Sequence, residues 1–181
     1  MYGDSKYITS DWEFCLPSYE WMISKMEENI GMRPFPECFP VWGWYQYDNA
    51  HKKKPDLRYS GFLPKETKGV RLEINKPEND VLLSDFMLWN IPFGYQSYIG
   101  AKEEDSESFE KMLEEKSLDR KRFEDLPTTI QSEIIKSWDR VLDLDFDDSY
   151  YTTTKDNKSI QATFWSLSFD EVVKVDEFVA R

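Results

Sequence analysis

Residues 70–86 read VRLEINKPENDVLLSDF, and they decide the fold class. In VRLEINKP (70–77), Val70, Leu72 and Ile74 alternate with Arg71, Glu73 and Asn75. Side chains of an extended chain point to opposite faces in turn, so this pattern predicts a half-buried strand with its aliphatic residues inward. DVLLSDF follows as a second, shorter strand. Ser84 stands where a cap is needed for a short helix through DFMLWNI, and Asp85 falls in that helix's first turn, near the positive end of its dipole.

Working outward toward the N-terminus, VWGWYQY (41–47) is β-branched and aromatic. It reads as a strand with Trp42, Trp44 and Gln46 on one side and Val41, Tyr45 and Tyr47 on the other. This aromatic run fits a core better than a platform for stacked bases. MRPFPECFP before it holds three prolines and can be neither helix nor central strand. Earlier still, Met22, Ile23, Met26 and Ile30 recur at helical spacing after Pro17-Ser18, with Gly31 as the stop.

Toward the C-terminus, residues 94–108 read as loop and SFEKMLEEKSLDRKRF as helix. A further helix starts near Pro127 and places Ile130, Ile134, Ile135 and Trp138 on one face. After a polar break, TTTKDNKS, two strands close the chain: IQATFWSLS and EVVKVDEFVA. The fold class is α+β: a mostly antiparallel sheet of about five or six strands with three main helices, in a single compact domain over residues 1–181.

The chain carries a net charge of −12 with 40% apolar and 16% aromatic residues, which is ample for a core. Residues 101–150 hold sixteen acids against eight bases, whereas all eight bases of residues 51–100 fall within 52–76. Such a body repels nucleic acid and anionic membrane over most of its surface and attracts a basic partner. No apolar run reaches membrane-spanning length, and the opening MYGDSKYITSDWEF has no signal-peptide pattern, so a cytoplasmic location is expected. Cys15 and Cys38 fit free thiols in that compartment.

The densest acidity lies in VLDLDFDDSYY (141–151). As a calcium loop, DLDFDDSYYTTT fails at two diagnostic positions, with Asp148 in place of the turn glycine and Thr154 in place of the bidentate glutamate. As catalytic acids the aspartates fail too, since Leu144 and Phe146 take the buried side and leave the carboxylates in water, where they make poor general acids. The third reading is an anionic ribbon. Alternate carboxylates on an extended chain stand roughly 7 Å apart, close to the spacing of phosphates along a nucleic-acid strand. The expected partner-binding residues are Asp143, Asp145, Asp147 and Asp148, together with Glu103, Glu104, Asp105 and Glu107. Their partner would be a basic nucleic-acid-binding protein such as an RNA-guided nuclease, with no membrane and no direct nucleic-acid contact.

Other constellations are thin. His51, the only histidine, sits in the basic loop HKKKPDLR, where Arg58 could hold a phosphate or the loop could pair with the chain's own acids. Two cysteines and one histidine do not make a tetrahedral zinc set, and no phosphate-cradling or hydrolase motif occurs. No catalytic residue, cofactor or metal ligand is assigned.

Three stretches carry a resemblance: FPVWGWYQY followed by KKPDLR; GVRLEINKPENDVLLSDFMLW; and IQATFWSLSFDEVVKVDEFVAR, with KSWDRVLDLDFDD between. Together they resemble the bacterial domain-of-unknown-function family numbered 3841, from about Tyr7 to the end, and that resemblance implies no activity. Family members often carry His where this chain has Asn90, and begin with an extra strand and helix before the position of Met1. The late strand IQATFW followed by EVVKV is also similar to ADP-ribosyltransferase-like folds, which implies NAD as a cofactor for an alternative, enzymatic reading. The position of the catalytic glutamate there is Gln161, which is no carboxylate. In charge, size and lack of motifs the chain is similar to phage counter-defence proteins, anti-CRISPR inhibitors among them, which occupy a basic nucleic-acid channel.

Overall fold

The structure, a computed structural model, describes residues 1–4, 14–51 and 54–181. Readings that fall on Tyr7, Lys52 and Lys53 lie outside them. In chain order the regular elements are β1 (Gly3–Asp4), α1 (Leu16–Ile30), β2 (Cys38–Phe39), β3 (Val41–Gln46), β4 (Lys68–Ile74), β5 (Leu82–Asp85), α2 (Phe86–Asn90), α3 (Glu103–Glu115), α4 (Thr128–Ser137), β6 (Ile160–Phe164) and β7 (Val172–Val179). The fold is α+β and every strand pairing among the described residues is antiparallel. The strands do not form one sheet. Among the described residues β6 lies between β3 and β5 in a three-stranded sheet, β4 pairs only with β7, and β1 pairs only with β2.

Helix α1 forms where the spacing of Met22, Ile23 and Met26 predicts it, and these residues are buried together with Trp21. Pro17 occupies its first turn, and Gly31 ends it at φ 102°, a conformation that a Cβ makes costly. Ile130, Ile134 and Trp138 are buried along α4 and the 3-10 turn after it, as their periodicity requires. The core gathers these side chains with Leu88, Trp89, Ile99 and Phe109. Trp89 is its aromatic hub: Trp42 lies 5.0 Å away centroid to centroid and Trp21 stacks at 6.3 Å. Such pairs contribute about 0.5–1.5 kcal/mol beyond area burial. Trp42 of the WGWYQY run is therefore core, not a platform for bases. Cys15 and Cys38 are free and buried, and burial pushes both thiols above their ordinary pKa.

Several expectations are corrected. Ser84 does not cap α2. Asp85 does, its carboxylate accepting from the backbone N–H of Met87 at 2.8 Å and of Leu88 at 3.3 Å. Tyr47 does not oppose Trp44. A bulge between Trp44 and Gln46 reverses the alternation and brings the two rings to 5.0 Å. Helix α3 begins at Glu103, inside the stretch read as loop, because three acids in its first turn favour the helix dipole. It stops at Glu115 rather than running to Phe123. Ser117 turns left-handed at φ 56° and the Leu118 N–H reaches back to the Leu113 carbonyl at 2.8 Å, closing the last turn.

The largest correction concerns the stretch that set the fold class. β4 does alternate, but Val70 and Leu72 face solvent, while Gly69, Arg71 and Glu73 face inward. The inward side of the β4–β7 ribbon is covered by the loop before β4. A Cβ at Gly69 would stand 2.5 Å from the Phe178 ring and 2.7 Å from Leu63, so only glycine lets that ring lie across the strand. Arg71 meets Asp176 at 2.6 Å on the same side, and Lys54 meets Glu73.

Candidate functional site

The acidic stretch 143–150 is not a strand. After α4 the chain makes a 3-10 turn over Trp138–Leu142 and then a series of turns. The 7 Å ladder of carboxylates expected of an extended chain is therefore absent. Its outward alternation survives: Asp143, Asp145 and Asp147 are exposed, while Leu142, Leu144 and Phe146 are half-buried. Within the turns Asp143 accepts from the Asp145 N–H and Asp148 from the Tyr150 N–H, so two of the four carboxylates also shape the backbone.

A buried ion pair fixes where this stretch sits. Lys158 and Asp85 have fully buried side chains and meet at 2.7 Å. The Lys158 ammonium also donates to the Phe146 carbonyl at 2.5 Å, and the Thr152 hydroxyl donates to Asp85. Asp85 thus caps α2, neutralises Lys158 and holds Thr152. Lys158 in turn holds Phe146, so the acidic turns are clamped to the core at their middle and just after their end. Sequence reading missed both residues. Lys158 lay in a polar break, and Asp85 was credited only with its charge in the first helical turn.

The second acidic cluster lies along α3, where Glu103, Glu107, Glu110 and Glu114 are exposed at helical spacing. Tyr150 joins the two clusters. Its phenol is held above the ordinary range, first by partial desolvation and then by the negative charges of Glu103, Glu110 and Glu107 and by Tyr151. Tyr151 anchors the junction from beneath: its phenol oxygen accepts from the Gly100 N–H at 3.0 Å and shares a hydrogen bond with the Ser106 hydroxyl. The structure therefore brings Glu103 and Glu107 to the Asp148–Tyr150 turn. Glu104 instead pairs with Lys102 at 3.8 Å, and Asp105 accepts from the Ala101 N–H. Replacing Glu103, Glu107 and Glu110 by Gln is expected to lower the Tyr150 pKa, because the phenolate then forms beside neutral groups. An ultraviolet absorbance titration of the tyrosines checks this, and an unmoved curve would separate the helix from the turn.

Among the described residues, the basic loop does not neutralise this face. Arg58 pairs with Asp56 at 2.7 Å, and Arg181 reaches the same carboxylate at 3.0 Å. These cations hold Asp56 well below the usual carboxylate range, Arg58 through its hydrogen bonds above all. The loop and the ribbon enclose a cavity of about 400 Å³ lined by Lys54, Arg58, Arg71, Asp176 and Phe178, in which opposite charges already face one another. Of the four aspartates, only Asp145 has a cation partner among the described residues, Lys155 at 3.1 Å. A cleft of about 250 Å³ borders α3, lined by Tyr95, Tyr98, Phe109, Glu110 and Leu118.

His51 is exposed. Gln161 lies in the central strand opposite both Trp44 and Ser84, with its carbonyl oxygen buried and lacking a hydrogen-bond partner. Among the described residues no group of three or more His, Cys, Asp or Glu is arranged to hold a metal, and no helix is long and apolar enough to cross a membrane. A family model described as "Domain of unknown function (DUF3841)" matches residues 1–173 of the 181. No curated protein and no solved structure matches the chain.

Proposed function

This chain is a member of the DUF3841 family of domains of unknown function, and we propose that its anionic face docks on a basic, nucleic-acid-handling protein. It acts there without chemistry of its own, as a stand-in for a nucleic-acid backbone. Inhibition of an RNA-guided nuclease is the form to test first. The observation that carries this reading is the meeting of two acidic segments, far apart in sequence, around Tyr150. Among the described residues their charges are left largely unpaired, while Arg58 and Lys54 of the basic loop pair with Asp56 and Glu73. An exposed tyrosine among carboxylates also suits a guanidinium partner, which stacks on the ring and pairs with the acids.

A partner of this kind binds through charge and is therefore governed by salt. Immobilised protein is challenged with bacterial lysate at about 50 mM and about 500 mM salt, between which the screening length falls from roughly 14 Å to roughly 4 Å. Basic nucleic-acid-binding proteins should be retained at low salt, released at high salt, and displaced by added duplex DNA competing for the same groove. Retention that ignores both salt and DNA would refute the proposal.

A further inference from the structure

The β4–β7 ribbon is amphipathic in the wrong sense for a monomer. Its covered side carries Arg71, Glu73 and Asp176 beside Gly69 and Phe178, with Lys174 half-exposed, whereas its open side carries Val70, Leu72, Val173, Val175 and Val179. These five aliphatic residues are 40–64% exposed. Water gains nothing from such an arrangement, since burying the aliphatic side and solvating the charged one would cost the chain less. An antiparallel ribbon with one face on the body has its outer face free, and here that face is the one a sheet normally hides.

We propose that this outer face packs against the same face of a second copy, forming a two-fold dimer. Three features favour a second copy over another occupant. The patch is neutral in sum and aliphatic, so it offers nothing to a nucleic acid or a strongly charged partner. It is also self-complementary: Lys68 and Glu177 are its only charged residues, diagonal to one another in the register, and neither has an ion-pair partner among the described residues. A two-fold axis running along the ribbon lays β4 of one copy over β7 of the other, so each Lys68 faces the other copy's Val179 and lies roughly 7 Å along the strand from its Glu177, within reach of a lysine side chain. Finally, the area suffices. Five aliphatic side chains about half exposed present on the order of 400 Å² per copy, the size of the largest patch on an ordinary monomer. Two copies with their polar rims bury about 1,000–1,200 Å², the lower edge of a stable interface. The two ribbons would stack about 10 Å apart, as packed sheets do.

This surface is distinct from the anionic face, and salt separates the two. Docking through the carboxylates weakens with salt, whereas the ribbon contact persists, because it is apolar and because salt screens the repulsion between two bodies of charge −12. Sedimentation equilibrium of the full chain at about 500 mM salt tests it directly. The expected result is a reversible dimer with a dissociation constant on the order of 1–10 µM, as suits a small interface without aromatic anchors. Val175→Asp, at the centre of the patch, and independently Val173→Lys should each raise that constant at least tenfold, with the thermal transition serving as the folding control. Lys68→Glu and Glu177→Lys should each weaken association, and the two together in one chain should restore it. A wild-type chain that stays monomeric at about 100 µM would overturn the proposal. So would a dimer indifferent to both valine variants. A double charge swap that fails to restore association would overturn the two-fold arrangement.

Discussion

Lys158→Met is expected to cost about 3–5 kcal/mol of stability, the usual loss when one member of a buried ion pair is removed and its partner stays charged. Lys158 and Asp85 are both fully buried, and the ammonium holds a second acceptor, the Phe146 carbonyl. Without it the Asp85 carboxylate keeps only the two backbone donors of α2 and the Thr152 hydroxyl, and a buried carbonyl loses its donor. Chemical denaturation followed by tryptophan fluorescence checks the figure. For a chain of this length the thermal midpoint should fall by roughly 10 °C. Asp85→Asn combined with Lys158→Met should cost less than the sum of the two single changes, since removing both charges leaves neither stranded. A Lys158→Met protein within about 1 kcal/mol of wild type would mean that the ammonium reaches water and holds nothing in place. The same variant frees the acidic turns, so it should also weaken partner binding, though less than direct loss of charge.

The second large effect is on association. Glu107→Lys, Glu110→Lys and Asp147→Lys, combined with Glu103→Gln, should reduce capture of a basic partner about 100-fold or more at low salt. Electrostatic steering alone is worth factors of ten to a thousand, and close charge pairs add to it. These four positions are chosen because none accepts a hydrogen bond or holds a cation among the described residues, so the fold should not notice their loss. Glu103 is only neutralised, since a lysine in the first turn of α3 would oppose the helix dipole. Asp143 and Asp148 are left intact because they shape the backbone of their own turns. The measurement is the binding isotherm against the captured protein at two salt concentrations. The variant should lose most of the salt dependence along with the affinity. Unchanged affinity would place the contact elsewhere on the molecule.

Much of the architecture was legible. Met22, Ile23 and Met26 marked α1, Ile130, Ile134 and Trp138 marked α4, and Gly31 marked a helix end, because local periodicity and conformational preference are properties of short segments. The outward set of the acidic turns was legible for the same reason, since alternation of Asp143, Asp145 and Asp147 with Leu144 and Phe146 sorts them into solvent and core. The junction at Tyr150 was not. Nothing in the sequence relates Glu103 to a tyrosine forty-seven residues later. The Asp85–Lys158 pair was hidden likewise, seventy-three residues apart, the one read as a first-turn helix charge and the other as part of a polar break.

What the sequence determined by itself is the period of each element and the sign of its charge. It made β4 a strand, α3 an acidic helix and Asp143, Asp145 and Asp147 a row of outward carboxylates. What only the tertiary structure decided is which side of each element meets which neighbour. The aliphatic side of β4 was expected inward, yet the loop before it brought Leu63 over Gly69 and Lys54 to Glu73, so the polar side was covered and Val70 and Leu72 were left in water. The physical reason is that alternation distinguishes two faces without naming either as inside. That choice follows from long-range contacts, whose free energy depends on segments a local pattern never sees.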